Sequence, residues 1–171
     1  MVKIVATFSW IEYNATDEDT SEPANLNLGS VNTKEIVPST NPITAGTYSY
    51  SKWLRGHWSD SFTRIENLQF WMSSSGSGYV TGETIAVSAT TSSYAGTSTY
   101  VTPTNTADAQ CIAPVPIADP AAANIGFAGS LTASIEATGD SDFIVIQASI
   151  TTAASAGATQ TKQFRLQYDE V

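Results

Sequence analysis

Five stretches of this chain alternate polar and apolar residues or are dense in β-branched and aromatic ones, and none sustains three turns of helical spacing. They are residues 2 to 13 (VKIVATFSWIEY), 61 to 72 (SFTRIENLQFWM), 79 to 90 (YVTGETIAVSAT), 142 to 152 (DFIVIQASITT) and 160 to 168 (QTKQFRLQY). In an extended chain, successive side chains fall on opposite faces, so such runs read as strands with one face turned to a core. Composition points the same way. Val, Ile, Thr, Tyr, Phe and Trp number 63 of 171 residues, against 29 for Leu, Met, Glu, Gln, Lys and Arg, the straight-chain helix formers. That balance argues against a helical bundle.

Between these runs the sequence is punctuated by turn chemistry. Residues 14 to 30 are polar and acidic around Asp17-Glu18-Asp19 and read as a solvated loop. Residues 31 to 37 read as a short strand closed by Pro38, and 43 to 60 form an aromatic-dense stretch holding Tyr48, Tyr50, Trp53, Trp58 and His57. The Ser/Gly run 73 to 78 is a connection, and Gly82 is a bulge candidate. Residues 97 to 102 suggest a short edge. Pro103, Pro114, Pro116 and Pro120 leave too few N–H donors for a central strand at 103 to 120. Asp119-Pro120 before three alanines suggests one helical turn. Residues 130 to 137 read as another strand, with Gly139-Asp140 and 153 to 158 as turns. About eight strands joined by short turns predict an all-β, single-domain, two-sheet sandwich, jelly-roll-like, over 41–171. Residues 1–40 read as an N-terminal strand and extended arm.

The charged and reactive residues exclude several kinds of chemistry. The net charge is -9, and no basic residue lies between Arg64 and Lys162, so a phosphate-binding face has no material there. With one His and one Cys, a zinc site lacks ligands, and His57 has no partner for nucleophilic catalysis. No phosphate-binding glycine loop is present. Cys111 reads as a small buried or half-buried residue, because a reactive thiolate needs positive charge nearby. Asp17 with Asp19, and Asp140 with Asp142, are the carboxylate pairs that calcium would favour, yet neither has the spacing of an established calcium loop. No enzyme activity, cofactor or metal is therefore expected. No run is long and apolar enough for a membrane span or a signal core, so synthesis in the cytoplasm is expected, and the sequon Asn14-Ala15-Thr16 is read as chance.

Two groups of residues resemble a known pattern. Pro42-Ile43-Thr44-Ala45-Gly46, Ser49 to Arg55, Phe62, Ile65 to Trp71 and the following Ser/Gly run form the first. Asp142 to Gln147, a small-residue loop and the closing Tyr168-Asp169-Glu170-Val171 form the second. Over about residues 40 to 171, they resemble small virion structural proteins of tailed bacteriophages. The resemblance implies a decoration or cement protein on the outer capsid surface, with the major capsid protein and copies of itself as partners, a trimer at lattice axes being the arrangement considered. It carries over no catalytic residue, while the acidic charge balance and the lack of a long apolar run argue against a nucleic-acid or membrane partner. Aromatic anchors beside Lys and Arg commonly dominate interfaces, so Tyr48, Tyr50, Lys52, Trp53, Arg55, His57 and Trp58 are the expected contact residues, together with the arm. The rival readings are a tail or neck component and a carbohydrate-binding sandwich using Trp53, Trp58 and Trp71.

Overall fold

The computed structural model describes residues 5–14, 17–19, 22–73, 79–90, 94, 96–155 and 161–171, with main chain alone at 17–19. The described residues contain ten strands and no helix. In chain order they are β1 (Thr7–Asn14), β2 (Asp17–Asp19), β3 (Thr47–Tyr48), β4 (Lys52–Ser59), β5 (Ile65–Ser73), β6 (Glu83–Val87), β7 (Ala113–Pro114), β8 (Gly139–Asp140), β9 (Ile144–Ile150) and β10 (Gln163–Glu170). The larger sheet has the order β2-β1-β4-β9-β6-β7, with β3 paired to β9 and β8 to β4; the smaller is β10-β5. Every pairing is antiparallel. The protein is an all-β sandwich of two unequal sheets.

Alternation explains how β4 builds two cores at once. Leu54 and Trp58 turn towards the small sheet, where they meet Ile65, Leu68, Phe70 and Met72 of the β5 segment and Phe164, Leu166 and Tyr168 of β10. Trp53, one residue out of phase, points to the other face and packs with Ile11, Tyr13, Phe143 and Val145 under Tyr100 and Cys111. The large sheet is thus covered on both faces, by a second sheet on one side and by the 97–112 excursion on the other. A strand buried on both faces needs no alternation, which is why Ile144-Val145-Ile146 is continuously apolar in β9. Each large apolar side chain buried here contributes about 1.5–3 kcal/mol.

Several expectations are corrected. Residues 31–37 and 97–102 form no strand, and 119–123 no helical turn. Residues 130–137 form no strand; among the described residues their main-chain pairing with the small sheet is the isolated bridge of Ile135 to Ile65, while Ala133 also packs against the main core. Gly82 is a turn residue, with φ +82° and the Glu83 N–H donating to the Val80 carbonyl, not a bulge. The bulge lies in β5 instead: the register slips between Gln167 and Asp169 of β10, and Asn67 opposite has φ +56°. The boundary at residue 40 marks no break. β1 pairs with β4 from Thr7↔Ser59 to Tyr13↔Trp53, and Ala6, Leu26 and Leu28 join the main core. Among the described residues, the first forty are part of the sandwich rather than a free arm. The Ser/Gly run at 74–78 and residues 156–158 of the last turn lie outside the described residues.

Candidate interaction surface

The residues expected to face a partner divide into inner and outer ones. Trp53 is 1% exposed and Trp58 0%, both locked by edge-on contacts: Trp53 to Tyr100 and Phe143, Trp58 to Phe127 and Tyr168. Lys52 is also buried, its ammonium paired with Glu12 of β1 and donating to the Thr33 carbonyl. Burial holds the Lys52 ammonium below its ordinary value, with the neighbouring Glu12 charge opposing that shift. These three residues are core and cannot anchor a partner, which corrects the sequence expectation. It also removes Trp53 and Trp58 as a sugar-stacking platform; Trp71 stays half-buried on β5.

Arg55 and His57 reach the surface but converge on Asp140. His57 Nδ1 lies 2.6 Å from Asp140 Oδ1, and Arg55 Nη1 lies 3.7 Å from Oδ2. The Arg55 guanidinium also donates from Nε to the Ser141 carbonyl and stands 4.7 Å from the Phe143 ring centre. This group fixes β8 against β4. Arg64, another basic residue of the same region, is paired with Glu66. Asp142, next but one to Asp140, is fully buried; its Oδ2 accepts from the Tyr94 hydroxyl at 2.6 Å and the Gly129 N–H at 2.7 Å. Burial first, and then the bond to Asp142, push the Tyr94 phenol well above its ordinary value. Cys111 is half-buried, and burial, followed by the Asp108 charge, pushes its thiol up, which makes it inert at neutral pH. Asp140 and Asp142 are therefore structural partners of other side chains, and the side chains of Asp17 and Asp19 lie outside those described. Among the described residues no three His, Cys, Asp or Glu groups come together as a cation site.

Tyr48 and Tyr50 end a long excursion between β2 and β4. Residues 22–46 form no strand, yet the main chain is held in place. Ser30 N–H donates to the Asn41 carbonyl, the Thr40 and Asn41 N–H groups to the Val37 carbonyl, and Tyr50 N–H to the Gly29 carbonyl. Ile36 is buried beneath it, while Val37 is 55% and Tyr48 38% exposed. A second open feature runs along β10, where Trp71, Phe164, Arg165, Leu166, Gln167 and Tyr168 line a shallow groove of about 500 Å³. Sequence reasoning found β10 as a strand but not as an edge. It also missed Gln147, whose side chain serves four main-chain groups, at Ser49, Thr104, Thr106 and Asp108. Nothing local to these residues announces either role. No family model, curated protein or solved structure matches the chain.

Proposed function

We propose that this chain is a structural protein of a tailed-phage virion that docks on the outside of the head shell and stabilises it, a decoration protein. The observation that carries the reading is the 22–46 excursion. Loops longer than about 12–15 residues without secondary structure are uncommon in compact domains and commonly serve binding. Here the excursion is pinned by its own main-chain hydrogen bonds, so Val37 and Tyr48 are presented with little conformational entropy left to lose on docking. The resemblance of residues 40 to 171 to small virion proteins supports the same reading. The contact set is now narrower: Tyr48 and Tyr50 with the excursion, and His57 and Arg55 at the β4–β8 corner.

Deleting residues 1–40 would remove β1 and destroy the sheet, so the test is Val37→Asp combined with Tyr48→Ala. Heads stripped of the protein are expected to rebind the parent chain in on the order of hundreds of copies, as lattice symmetry requires, and the double variant far less, at unchanged melting temperature. Rebinding of about a dozen copies would move the protein to the tail or neck. Equal rebinding of the variant would remove the excursion from the contact.

A further inference from the structure

The molecule protects its sheet edges unevenly. The outer strands of the large sheet are short: β2 has three residues, all acidic, and β7 has two, one of them Pro114. Both are common ways of blunting an edge against pairing. One edge of the small sheet is closed by irregular chain. Met72 N–H donates to the Pro116 carbonyl, Phe70 N–H to Asn124 Oδ1 and Ile135 N–H to the Ile65 carbonyl, while Asn124 Nδ2 returns a bond to the Phe70 carbonyl. The other edge is β10, eight residues long, without proline and regular along its own length.

The direction of the β10 main chain follows from those bonds. Phe70 and Met72 turn their main-chain groups away from β10, so their partners Leu166 and Phe164 turn theirs away from β5. At the other end, Val171 and Arg64 exchange main-chain bonds, so the odd-numbered residues of β10 face β5 throughout. Phe164, Leu166, Tyr168 and Glu170 therefore aim N–H and C=O outward, and among the described residues no main-chain group pairs with them. Ala6 approaches the end of the strand but bonds the Glu170 side chain. A two-stranded sheet with an open edge is marginal by itself.

We propose that β10 pairs antiparallel with β10 of a second copy, across a two-fold axis at Gln167. In that register Leu166 faces Tyr168 of the second copy and Phe164 faces its Glu170, so all four outward residues are paired. On the exposed face Arg165 comes opposite Asp169 of the second copy, and the reverse, a charge-complementary cross-strand pair on each side of the axis. Centring on Arg165 or Asp169 would oppose like charges, centring on Tyr168 brings no opposite charges of β10 together, and centring on Leu166 would bring only Glu170 to Lys162, which is already paired with Glu83, so the charge pattern selects Gln167. The product is a four-stranded sheet, β5-β10-β10-β5, in an isologous dimer. It does not use the excursion assigned to the shell and stands whether or not the chain is a virion protein.

The test is sedimentation velocity on the full chain over a wide concentration range, with amide exchange read residue by residue. Concentration-dependent dimers are expected, with the Leu166 and Tyr168 amides gaining protection in the dimer while those of Arg165 and Gln167 are protected at every concentration. Arg165→Asp sets Asp against Asp and should weaken dimerisation roughly tenfold. Adding Asp169→Arg should restore it, because the swapped charges again alternate across the axis. A chain monomeric at the highest concentration overturns the proposal, as does a dimer whose protection appears elsewhere, or one in which the charge swap fails to rescue Arg165→Asp.

Discussion

Tyr94 and Asp142 show what a buried polar pair does in a chain short of charged residues. The carboxylate is wholly enclosed, and the phenol supplies one of its few donors, so the hydroxyl holds the 126–142 turn region to the loop before Tyr100. Hydrogen bonds to buried charged groups contribute about 1.5–3 kcal/mol, and Tyr94→Phe is expected to lose that amount in urea unfolding at pH 7. The pH dependence has a definite sign. Because the folded phenol ionises above its ordinary 10.0, the hydroxyl's contribution is complete below pH 10 and falls as pH rises further. Urea melts from pH 8 to 11 should show the gap between parent and Tyr94→Phe constant up to about pH 10 and then closing. A gap unchanged to pH 11 would mean the phenol is not held protonated by this site. Cys111 and Tyr79, also raised by burial, make the parent itself less stable in the same alkaline range.

At Gly56 of β4 the two sheets pack with no room for a side chain. A Cβ there would stand 2.7 Å from Trp58 Cη2, 3.0 Å from Phe8 Cε2 and 3.1 Å from Leu166 Cδ2. Gly56→Ala should cost about 1–3 kcal/mol through overpacking, read as a lower melting temperature, and Gly56→Val more. A neutral Gly56→Ala would show that the layers have slack. The same strand marks the limit of what alternation reveals. β1, β5, β6, β9 and β10 are legible because one face is apolar or the whole run is β-branched. In β4, Trp53 and Trp58 lie on opposite faces with His57 and Arg55 between them, so the segment looks like an aromatic surface, and only the layers above and below make it core. Residues 130–137 fail in the opposite way. They have strand composition, but β5 offers them a partner only at Ile135, and a local pattern cannot supply a neighbour. Which aromatic is an anchor and which is filling is decided by layering, and that is set by contacts distant in sequence.

At the scale of the whole molecule, both sheets depend on chain drawn from opposite ends. β1 lies within the large sheet and β10 forms half of the small one, and they are tied by the Ala6 N–H to Glu170, 164 residues apart, and by Phe8 against Tyr168. Lys162, just before β10, adds a buried ion pair to Glu83 of β6. Removing residues 161–171 strips β5 of the one strand it pairs with among the described residues and uncovers Phe70 and Trp58. The shortened chain is therefore expected to lack a cooperative thermal transition and dispersed amide resonances. A folded, cooperative truncation would show that the large sheet and its second core suffice. The tie between Phe8 and Tyr168 also sets an order of events during synthesis. β1 leaves the ribosome long before β10, so no product that stops short of β10 can close the sandwich, and the apolar faces of β4 and β5 stay unroofed until β10 has emerged. Such a chain is exposed to aggregation and to chaperone capture over that interval, and its yield will be governed by how quickly the eight residues of β10 find a strand made far earlier.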